Sequence, residues 1–491
     1  MKDISISLIY YRHVNDILPS IPLTYLREFM SKDTVKQIDH ILNAKSVSLV
    51  GASNKEGSFG RLFVEGLVKM GCHNVYPVNP SSPEILGLKA YSTITDIPFE
   101  VDVAILLTPP KHVLGLVQEC VKKKVKGVVV FSAGFGELGH KGKKVEQEIA
   151  RVAVEGGTRV IGPNCLGFYT PGAGILTFPQ ALMEGMPTES GSIGGFAQSG
   201  SFIDYLTFSL SRKGLRFSSI ISSGNECDLN SSDFLEYFGE DKNTRTIVAY
   251  LEGVENGRNF FDVARNVTRK KPVIVWKGGT TDSGARAAAS HTGALSGSKV
   301  VWDAMFRQTG ITSVTSFEEV IDCALAFYYL PLPKGRKVAV ISGQGGTGVG
   351  TADNCIRFGL EPASLSDDTI SKMKEIITGV GISVFNPVDL GVVSLMKPNL
   401  YGETIKILAD DENVDMILAV TQPNRPCIES LVDSTKALHK PVVVSIFSLP
   451  ELSPREYQFL SENGVPAYSD PKKCAFVLSK LTEYAEFLAD T

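Results

Sequence analysis

A histidine lies in a run of small residues, Ala287 to Gly297, which leaves room for another group to approach the imidazole. Ser290, Thr292 and Gly293 flank it and can bring hydroxyl and backbone N–H donors close to whatever the ring carries. A histidine built into a core more often has large apolar neighbours. The run therefore favours a chemical role for His291, as a nucleophile or as an acid–base group. The alternative is a histidine that only closes a hydrogen bond in a glycine-rich turn.

Two further turns carry residue types that suit phosphoryl chemistry. Glu252 and Gly253 follow an apolar run, and a carboxylate there can accept a hydrogen bond from a histidine Nδ1–H, which fixes the tautomer and raises the basicity of the ring. Ser199 and Gly200 precede an apolar helix, whose first N–H groups attract an anion. We expect phosphate to bind at Ser199, Gly200, Gly253, Thr292 and Gly293.

Polar turns follow successive strands in the first third of the chain. The turn from Gly51 to Gly60 is not the GxGxxG dinucleotide fingerprint, because Ser53 stands at the second glycine position. Asn79-Pro80 follows the second strand in place of an acidic residue that would hold a ribose, which argues against NAD. We expect these turns to form one rim for a long phosphate-bearing ligand. Its candidate residues are Gly51, Ala52, Ser53, Ser58, Gly60, Asn79, Thr108, Pro109, Ser132, Ala133, Gly134 and Asn164.

Short apolar runs alternate with amphipathic helices along most of the chain, so sheets must position these residues. Such runs are typical of buried parallel strands, and the pattern predicts an α/β fold with three doubly wound domains. We place the domains at 34–171, 189–330 and 337–491, after an N-terminal extension, 1–33, in which Met30 is an alternative start. The Pro- and Gly-rich stretch from Tyr169 to Thr188 forms a soft boundary.

Composition argues against several classes of function. The 491 residues are 43% hydrophobic and 21% charged, and a net charge of -4 gives no indication of nucleic acid or of an anionic membrane. Eight scattered cysteines without a CxxC pair are typical of free thiols in the cytoplasm, not of a clustered metal site. Cys165 fits a small buried thiol better than a nucleophile. The chain has neither a membrane-spanning apolar stretch nor a signal-peptide layout at its start.

In combination these motifs resemble one family. From about residue 38 to residue 488 the chain is similar to the α subunits of the NDP-forming acyl-CoA synthetases, of the ADP-forming acetyl-CoA synthetase type, which are relatives of succinyl-CoA synthetase. The motifs that carry the resemblance are Val50-Gly51-Ala52-Ser53, Gly162-Pro163-Asn164-Cys165-Leu166-Gly167, Ser199-Gly200, Ser223-Gly224-Asn225, Glu252-Gly253, Ser290-His291-Thr292-Gly293-Ala294 and Asn386-Pro387-Val388-Asp389.

The resemblance implies a Rossmann-like CoA-binding domain followed by two flavodoxin-like domains of the succinyl-CoA synthetase type. It also implies that His291 is phosphorylated, that Glu252 steadies it, and that the helix start at Ser199-Gly200 holds phosphate. The implied enzyme is an acid–thiol ligase. It would interconvert acyl-CoA, phosphate and ADP with the acid, CoA and ATP through an acyl phosphate and phospho-His291.

In this family the nucleotide binds to an ATP-grasp module, and no segment of the chain is left for one. The loop from Ser342 to Gly348 lacks the Lys-Ser/Thr pair of a P-loop, so we exclude a Walker A site there. The resemblance therefore implies a separate ATP-grasp β chain that carries the nucleotide and Mg²⁺. It implies no metal in this chain and a homo- or hetero-oligomer. Glu226-Cys227 departs from the small or basic residues that are common in relatives.

Two alternatives remain beside this reading. The first is a CoA- or acyl-CoA-binding regulatory protein that keeps the scaffold and never turns over. The presence of both His291 and Glu252 argues against it, because a binding protein has no need of a phosphorylatable site. The second is an NAD-dependent oxidoreductase, which the irregular first turn and Asn79 disfavour.

Overall fold

The structure, a computed structural model, describes residues 23–179, 185–281, 283–284, 286, 297–379, 381–436, 438–448 and 450–490. It divides into two compact units. Of the described residues, the first unit takes those up to Phe208 and those within Arg216–Lys270 and Lys277–Met305, and the second takes Ser209–Leu215, Lys271–Trp276 and those from Phe306 onward. Of the predicted extension, 1–33, only residues from 23 onward are described, where helix α1, Leu23–Leu42, begins.

A five-stranded parallel sheet lies in the amino-terminal part of the first unit. Its segments in chain order are β1 Ser46–Val50, α2 Phe59–Lys69, β2 Asn74–Val78, β3 Glu84–Ile85, β4 Leu88–Lys89, β5 Val103–Leu106, α3 Pro110–Lys123, β6 Gly127–Val130, α4 His140–Glu155 and β7 Arg159–Ile161. The strand order is β2-β1-β5-β6-β7, and β3 and β4 pair only with each other. Strands β1, β5 and β6 are buried along their whole length, as apolar strands covered on both faces must be.

The first unit also contains most of a second sheet. The segments are β8 Gly167–Thr170, β9 Ile175–Leu176, β10 Ile193–Ala197, α5 Gly200–Arg212, β11 Phe217–Ser222, α6 Ser231–Glu240, β12 Thr246–Leu251 and α7 Gly257–Thr268. Strand β10 pairs in parallel with β11 and β12, whereas β8 is antiparallel to both β11 and β9. The stretch that the sequence predicts as a soft boundary therefore supplies part of β8 and all of β9.

A parallel strand pair lies in the second unit, apart from Lys277 at the end of its first strand, and a third sheet follows it in the chain. The pair is β13 Val273–Lys277 with β14 Thr312–Val314, and the helices beside it in the chain are α8 Lys299–Thr309 and α9 Phe317–Tyr329. The third sheet contains β15 Lys337–Ser342, β16 Glu361–Pro362, β17 Val388–Asp389, β18 Met416–Thr421, β19 Val442–Ile446 and β20 Ala467–Tyr468. Its order is β16-β15-β18-β19-β20, with β17 also on β15.

In the described part of the chain, seven helices accompany the third sheet, and side-chain caps fix where several helices begin. They are α10 Gly345–Arg357, α11 Asp367–Ile376, α12 Val393–Met396, α13 Leu400–Asp410, α14 Arg425–Thr435, α15 Pro454–Glu462 and α16 Pro471–Ala489. Ser58 caps α2 by accepting from the backbone N–H of Arg61. Asn230 and Asp233 form a reciprocal capping box at the start of α6.

The predicted fold class, α/β with parallel sheets, is confirmed by this architecture. Within the described ranges, no helix is long and apolar enough to cross a membrane.

Candidate active site

The predicted rim residues of the first sheet are brought to one edge. The strands are parallel neighbours, so the turns that follow β1, β2, β5, β6 and β7 all lie at the C-terminal end of the sheet. At this edge the Asn79 side chain donates to the Ala52 carbonyl at 2.8 Å and so links the first two turns. The edge of a parallel sheet is where ligands bind in this class of fold.

Glycines let helix α2 start directly against the first turn. Gly51 has a φ of +93°, in the region that favours glycine. A Cβ on Gly60 would lie well inside 3.0 Å of the Gly51 carbonyl oxygen and 3.1 Å from the Ser53 nitrogen. The turn and the first residues of α2 therefore pack backbone to backbone, which a side chain at position 60 would prevent.

The turns after β5, β6 and β7 are tied to one another. The Ser132 hydroxyl donates to the Thr108 carbonyl, and the Ser132 carbonyl accepts from the Asn164 backbone N–H at 3.0 Å. The Thr108 hydroxyl oxygen is buried and has no hydrogen-bond partner among the described residues. Pro109 opens α3 beside it, and Ala133 is exposed. This part of the rim holds a buried polar atom that a ligand can satisfy.

In the turn after β6, carboxylates of the protein accept the backbone N–H groups that could otherwise bind an anion. The Gly134 N–H, which the sequence offers as an anion donor, donates to the Glu137 carboxylate, and so does the Phe135 N–H at 3.2 Å. The Gly136 N–H donates to Glu146 at 2.9 Å. Gly134 has a φ of +111°, and a Cβ there would lie 2.8 Å from Pro110 Cγ. At this turn, glycine permits close packing against Pro110, and the carboxylates take the N–H groups.

Strands β10 and β12 are parallel neighbours, so the turns that follow them are adjacent. Gln198 joins the two turns: its Oε1 accepts from the backbone N–H of Glu252 at 2.6 Å and of Gly253 at 3.2 Å. Its Nε2 donates to the Gly253 carbonyl at 2.8 Å. The helix start at Ser199-Gly200 and the Glu252-Gly253 turn are therefore held together by one glutamine side chain, a role that sequence patterns did not reveal.

Glu252 is only 5% exposed and has a buried lysine as a neighbour. The Lys277 ammonium donates to the Glu252 carbonyl at 2.8 Å and to the Gly278 carbonyl, and it lies 5.0 Å from the centre of the Trp302 ring. Burial lowers the pKa of Lys277 to about 8, although the charge of Glu252 acts in the opposite direction. The sequence gives no signal for this lysine, because a Lys at a strand end belongs to no motif.

Tyr250 contacts the same turn from β12. Its hydroxyl donates to Glu252 Oε1 at 3.4 Å. A Cβ on Gly278 would lie inside 3.0 Å of that hydroxyl oxygen, so Gly278 permits the close approach. The Gly278 N–H donates to the Leu251 carbonyl at 2.8 Å. The chain that leads on toward residue 291 therefore departs right beside Glu252.

His291, Thr292 and Gly293 lie outside the described residues, so their predicted roles remain predictions. Cys165 has the predicted character of a small buried thiol: it is 2% exposed, and burial raises its pKa to about 12. All eight cysteines are free.

The third sheet carries a cleft of its own in the second unit. An open space of about 420 Å³ lies beside the turn after β15, with Ser342, Gly343 and Gln344 on one side and Thr421 and Gln422 on another. The Ser342 and Thr347 hydroxyl oxygens lie 2.7 Å apart and 2.9 and 2.8 Å from the Gln344 carbonyl oxygen, so their two protons are shared within this group of three oxygens. These bonds order the glycine-rich turn from within.

Comparisons with known proteins agree with this geometry. Residues 45–171 match the CoA binding domain family, and residues 190–327 match the succinyl-CoA ligase-like flavodoxin domain family. The acetate–CoA ligase [ADP-forming] II subunit alpha of Pyrococcus furiosus is 35% identical over 460 residues, which cover 91% of this chain and 98% of that protein. The chain belongs to the family of ADP-forming acyl-CoA synthetase α subunits.

Other relatives place this α subunit in the same family. Acetate–CoA ligase [ADP-forming] I of Archaeoglobus fulgidus is 38% identical over 456 residues, 92% of this chain but 64% of that longer protein. The solved structure of Ca. Korarchaeum cryptofilum dinucleotide forming acetyl-coenzyme A synthetase 1, in complex with phosphate and ADP, matches with a TM-score of 0.84 and 32% identity. The match covers 92% of this chain and 97% of that chain.

The family settles the reaction class. The predicted acyl-CoA synthetase function and acid–thiol ligase activity are confirmed, and CoA is a substrate. The alternative, a regulatory protein that binds CoA without turnover, is not favoured.

Proposed function

We propose that this α subunit binds CoA along the C-terminal edge of the first sheet and carries the phosphoryl group on His291. The observation that carries the proposal is the junction made by Gln198, which holds the helix start at Ser199-Gly200 against the Glu252-Gly253 turn. A helix N-terminus attracts an anion, and a carboxylate orients an imidazole. Both elements are needed at one place if a histidine is to accept a phosphoryl group.

The first step forms an acyl phosphate. A phosphate oxygen attacks the thioester carbonyl carbon, the C–S bond breaks, and CoA leaves as a thiolate that takes up a proton. The N–H groups in the first turn of α5 stabilise the charge on phosphate and on the developing oxyanion. The unpaired buried hydroxyl of Thr108 is available to bond CoA along the rim.

The second step transfers the phosphoryl group to His291. Nε2 attacks phosphorus, the bond from phosphorus to the carboxylate oxygen breaks, and the free acid leaves. Nδ1–H donates to the Glu252 carboxylate, which stabilises the positive charge that develops on the ring. Thr292 and Gly293 would contribute donors to the phosphoryl oxygens. The acyl phosphate and phosphohistidine are both reactive phosphoryl donors, so this transfer need not be steeply uphill.

The third step needs a second chain. An oxygen of the ADP β-phosphate attacks phosphorus and the P–N bond breaks, which gives ATP and neutral His291. We assign nucleotide and Mg²⁺ to a separate ATP-grasp β subunit. Two Pyrococcus furiosus relatives are named as alpha subunits, and this chain covers only 64% of the longer Archaeoglobus fulgidus relative. The assembly would be a hetero-oligomer in the cytoplasm, where eight free thiols stay reduced.

Phosphate labelling tests the proposal. The purified chain, alone and with an ATP-grasp β subunit, is incubated with labelled phosphate and a panel of acyl-CoA thioesters. The panel starts from acetyl, 4-hydroxybutyryl and feruloyl thioesters, the acids named in relatives. We expect acid-labile, alkali-stable label, lost in His291→Ala and retained in His73→Ala, which alters an exposed histidine. A label that survives His291→Ala would refute the assignment.

A further inference from the structure

One short loop, from Ser223 to Glu226, contacts both candidate regions of the first unit. It follows β11 and lies against the turn after β7. The Asn225 N–H donates to the Pro163 carbonyl at 2.9 Å, and the Cys227 N–H donates to the Gly162 carbonyl at 3.0 Å. Gly224 has a φ of +60°, and a Cβ on it would lie 2.7 Å from the Asn164 carbonyl oxygen. The loop is therefore fixed by backbone contacts at its centre.

On one side the loop contacts the turn after β6. The Asn225 Nδ2 donates to Glu137 Oε2 at 2.6 Å and to Glu146 Oε1 at 2.7 Å. These are the two carboxylates that take the backbone N–H groups of Gly134, Phe135 and Gly136. Burial acts to raise the pKa of Glu137, but hydrogen bonds from Gly134 and Asn225 outweigh it and hold the pKa below its ordinary value. One amide thus bridges two carboxylates that order a whole turn.

On the other side the loop contacts Gln198. Glu226 Oε1 accepts from the hydroxyls of Ser223 at 2.7 Å and Ser231 at 2.6 Å, and its Oε2 accepts from the Ser231 N–H at 3.0 Å. Burial raises the pKa of the Glu226 carboxyl, and interactions with Ser231, Ser223 and the Gln198 side chain act in the opposite direction. A carboxylate accepts from Nε2 and not from Oε1, so its interaction with Gln198 matches the orientation in which Oε1 accepts from the N–H groups of Glu252 and Gly253.

We propose that the loop from Ser223 to Glu226 is a two-sided positioning element, in which Asn225 orders the CoA-binding turn after β6 and Glu226 orients Gln198 to hold the Glu252-Gly253 turn. The inference rests on the proposed function for the meaning of the two turns. It assigns roles to Asn225 and Glu226 beyond those of the proposed reaction, and it gives a reason for the acidic residue at 226.

The Asn225 side is tested by CoA binding to the full chain. Asn225→Ala removes the amide that bridges the carboxylates, and we expect the Kd for CoA to rise about tenfold, as for the loss of a hydrogen bond to a charged group. Asn225→Asp keeps the shape but sets a third carboxylate against the other two, so the loss should be larger. Asn243→Ala, an exposed asparagine that precedes β12, is the control. Wild-type CoA affinity in both Asn225 variants would overturn this half of the proposal.

The Glu226 side is tested by amide hydrogen exchange and by phosphorylation. We expect Glu226→Ala to speed exchange at Glu252 and Gly253 about tenfold or more, and to slow phosphorylation of His291 without changing the Kd for CoA. Glu226→Gln keeps an acceptor oxygen and should restore most of the protection. Glu255→Ala, an exposed glutamate on the same turn, should change neither. Unchanged exchange in Glu226→Ala would overturn this half.

The two readouts separate failure of this inference from failure of the proposed function. If wild-type protein is never phosphorylated, the proposed function fails. Exchange at Glu252 and Gly253 and the CoA affinity of the Asn225 variants would still decide whether the loop positions the two turns.

Discussion

Replacement of Gly60 by alanine should weaken CoA binding by moving a helix start. A Cβ at this position would lie inside 3.0 Å of the Gly51 carbonyl oxygen and 3.2 Å from the Gly51 carbonyl carbon. The obstacle is backbone, so no side chain can rotate away, and α2 must shift from the turn after β1. Overpacking of this kind costs about 1 to 3 kcal/mol, and the better helix propensity of alanine offsets about 1 kcal/mol at most.

Gly115 provides the matched control for this helix glycine. It lies within α3, and a Cβ there would meet no atom within 4 Å. Gly115→Ala should therefore raise the melting temperature by a degree or more, because it restricts the unfolded chain, whereas Gly60→Ala should lower it. Calorimetric titration with CoA should show a Kd at least about tenfold higher for Gly60→Ala and unchanged for Gly115→Ala. Wild-type CoA affinity and melting temperature in Gly60→Ala would refute the argument that backbone packing of α2 against the turn after β1 shapes this part of the CoA rim.

Three further predictions concern side chains of the first unit. Lys277 has a folded pKa of about 8, below its ordinary 10.5, so its contribution to the free energy of unfolding rises with pH between these values. From pH 8 to 10.5, urea unfolding should show the wild type gaining up to about 3 kcal/mol of stability relative to Lys277→Met. Burial raises the pKa of Asp233 from 3.8 to about 6, so its contribution to the free energy of unfolding is lost as pH rises through this window. Between pH 4 and 7, Asp233→Asn should gain up to about 3 kcal/mol of stability relative to wild type. A stability difference between the two proteins that stays constant with pH would contradict the assignment. Gly278→Ala should slow phosphorylation of His291, because the new Cβ would displace the Tyr250 hydroxyl. The double variant with Tyr250→Phe should recover part of the rate. If the double variant recovers none of it, the hydroxyl is not the obstacle.

Local patterns were enough to predict the parallel strands. The run Val103–Leu106 is buried throughout, and apolar runs of this kind are read directly from the sequence. Strand β8 was missed because it joins the sheet through a distant partner: Phe168 lies opposite Ile221 of β11 in an antiparallel register. A stretch rich in proline and glycine gives no sign of such a distant partner, and the sequence predicts a boundary there.

The candidate site also contains residues that local patterns indicate and residues that they do not. Glu252 and the helix start at Ser199-Gly200 follow strands, and this position alone indicates a ligand edge. The side chains that hold them were not predictable, since Gln198 bonds residues 54 and 55 positions away and Asn225 bonds Glu137 at a separation of 88. The Gly134 N–H shows the opposite error of local reasoning. A glycine turn after a strand predicts free anion donors, but Glu137, only three residues on, takes that N–H.

The surroundings of Glu252 meet an electrostatic requirement of phosphoryl transfer to a histidine. A carboxylate can orient the imidazole only if it lies near the phosphate, yet two anions in a buried place repel each other strongly. Lys277 supplies the opposing charge from the same unit. Burial lowers its pKa only to about 8, so the ammonium is still largely charged at neutral pH. Because the ammonium is fixed by the carbonyls of Glu252 and Gly278 and by the Trp302 ring, it offsets the charge of the carboxylate from a set position, as the proposed role of Glu252 toward His291 requires.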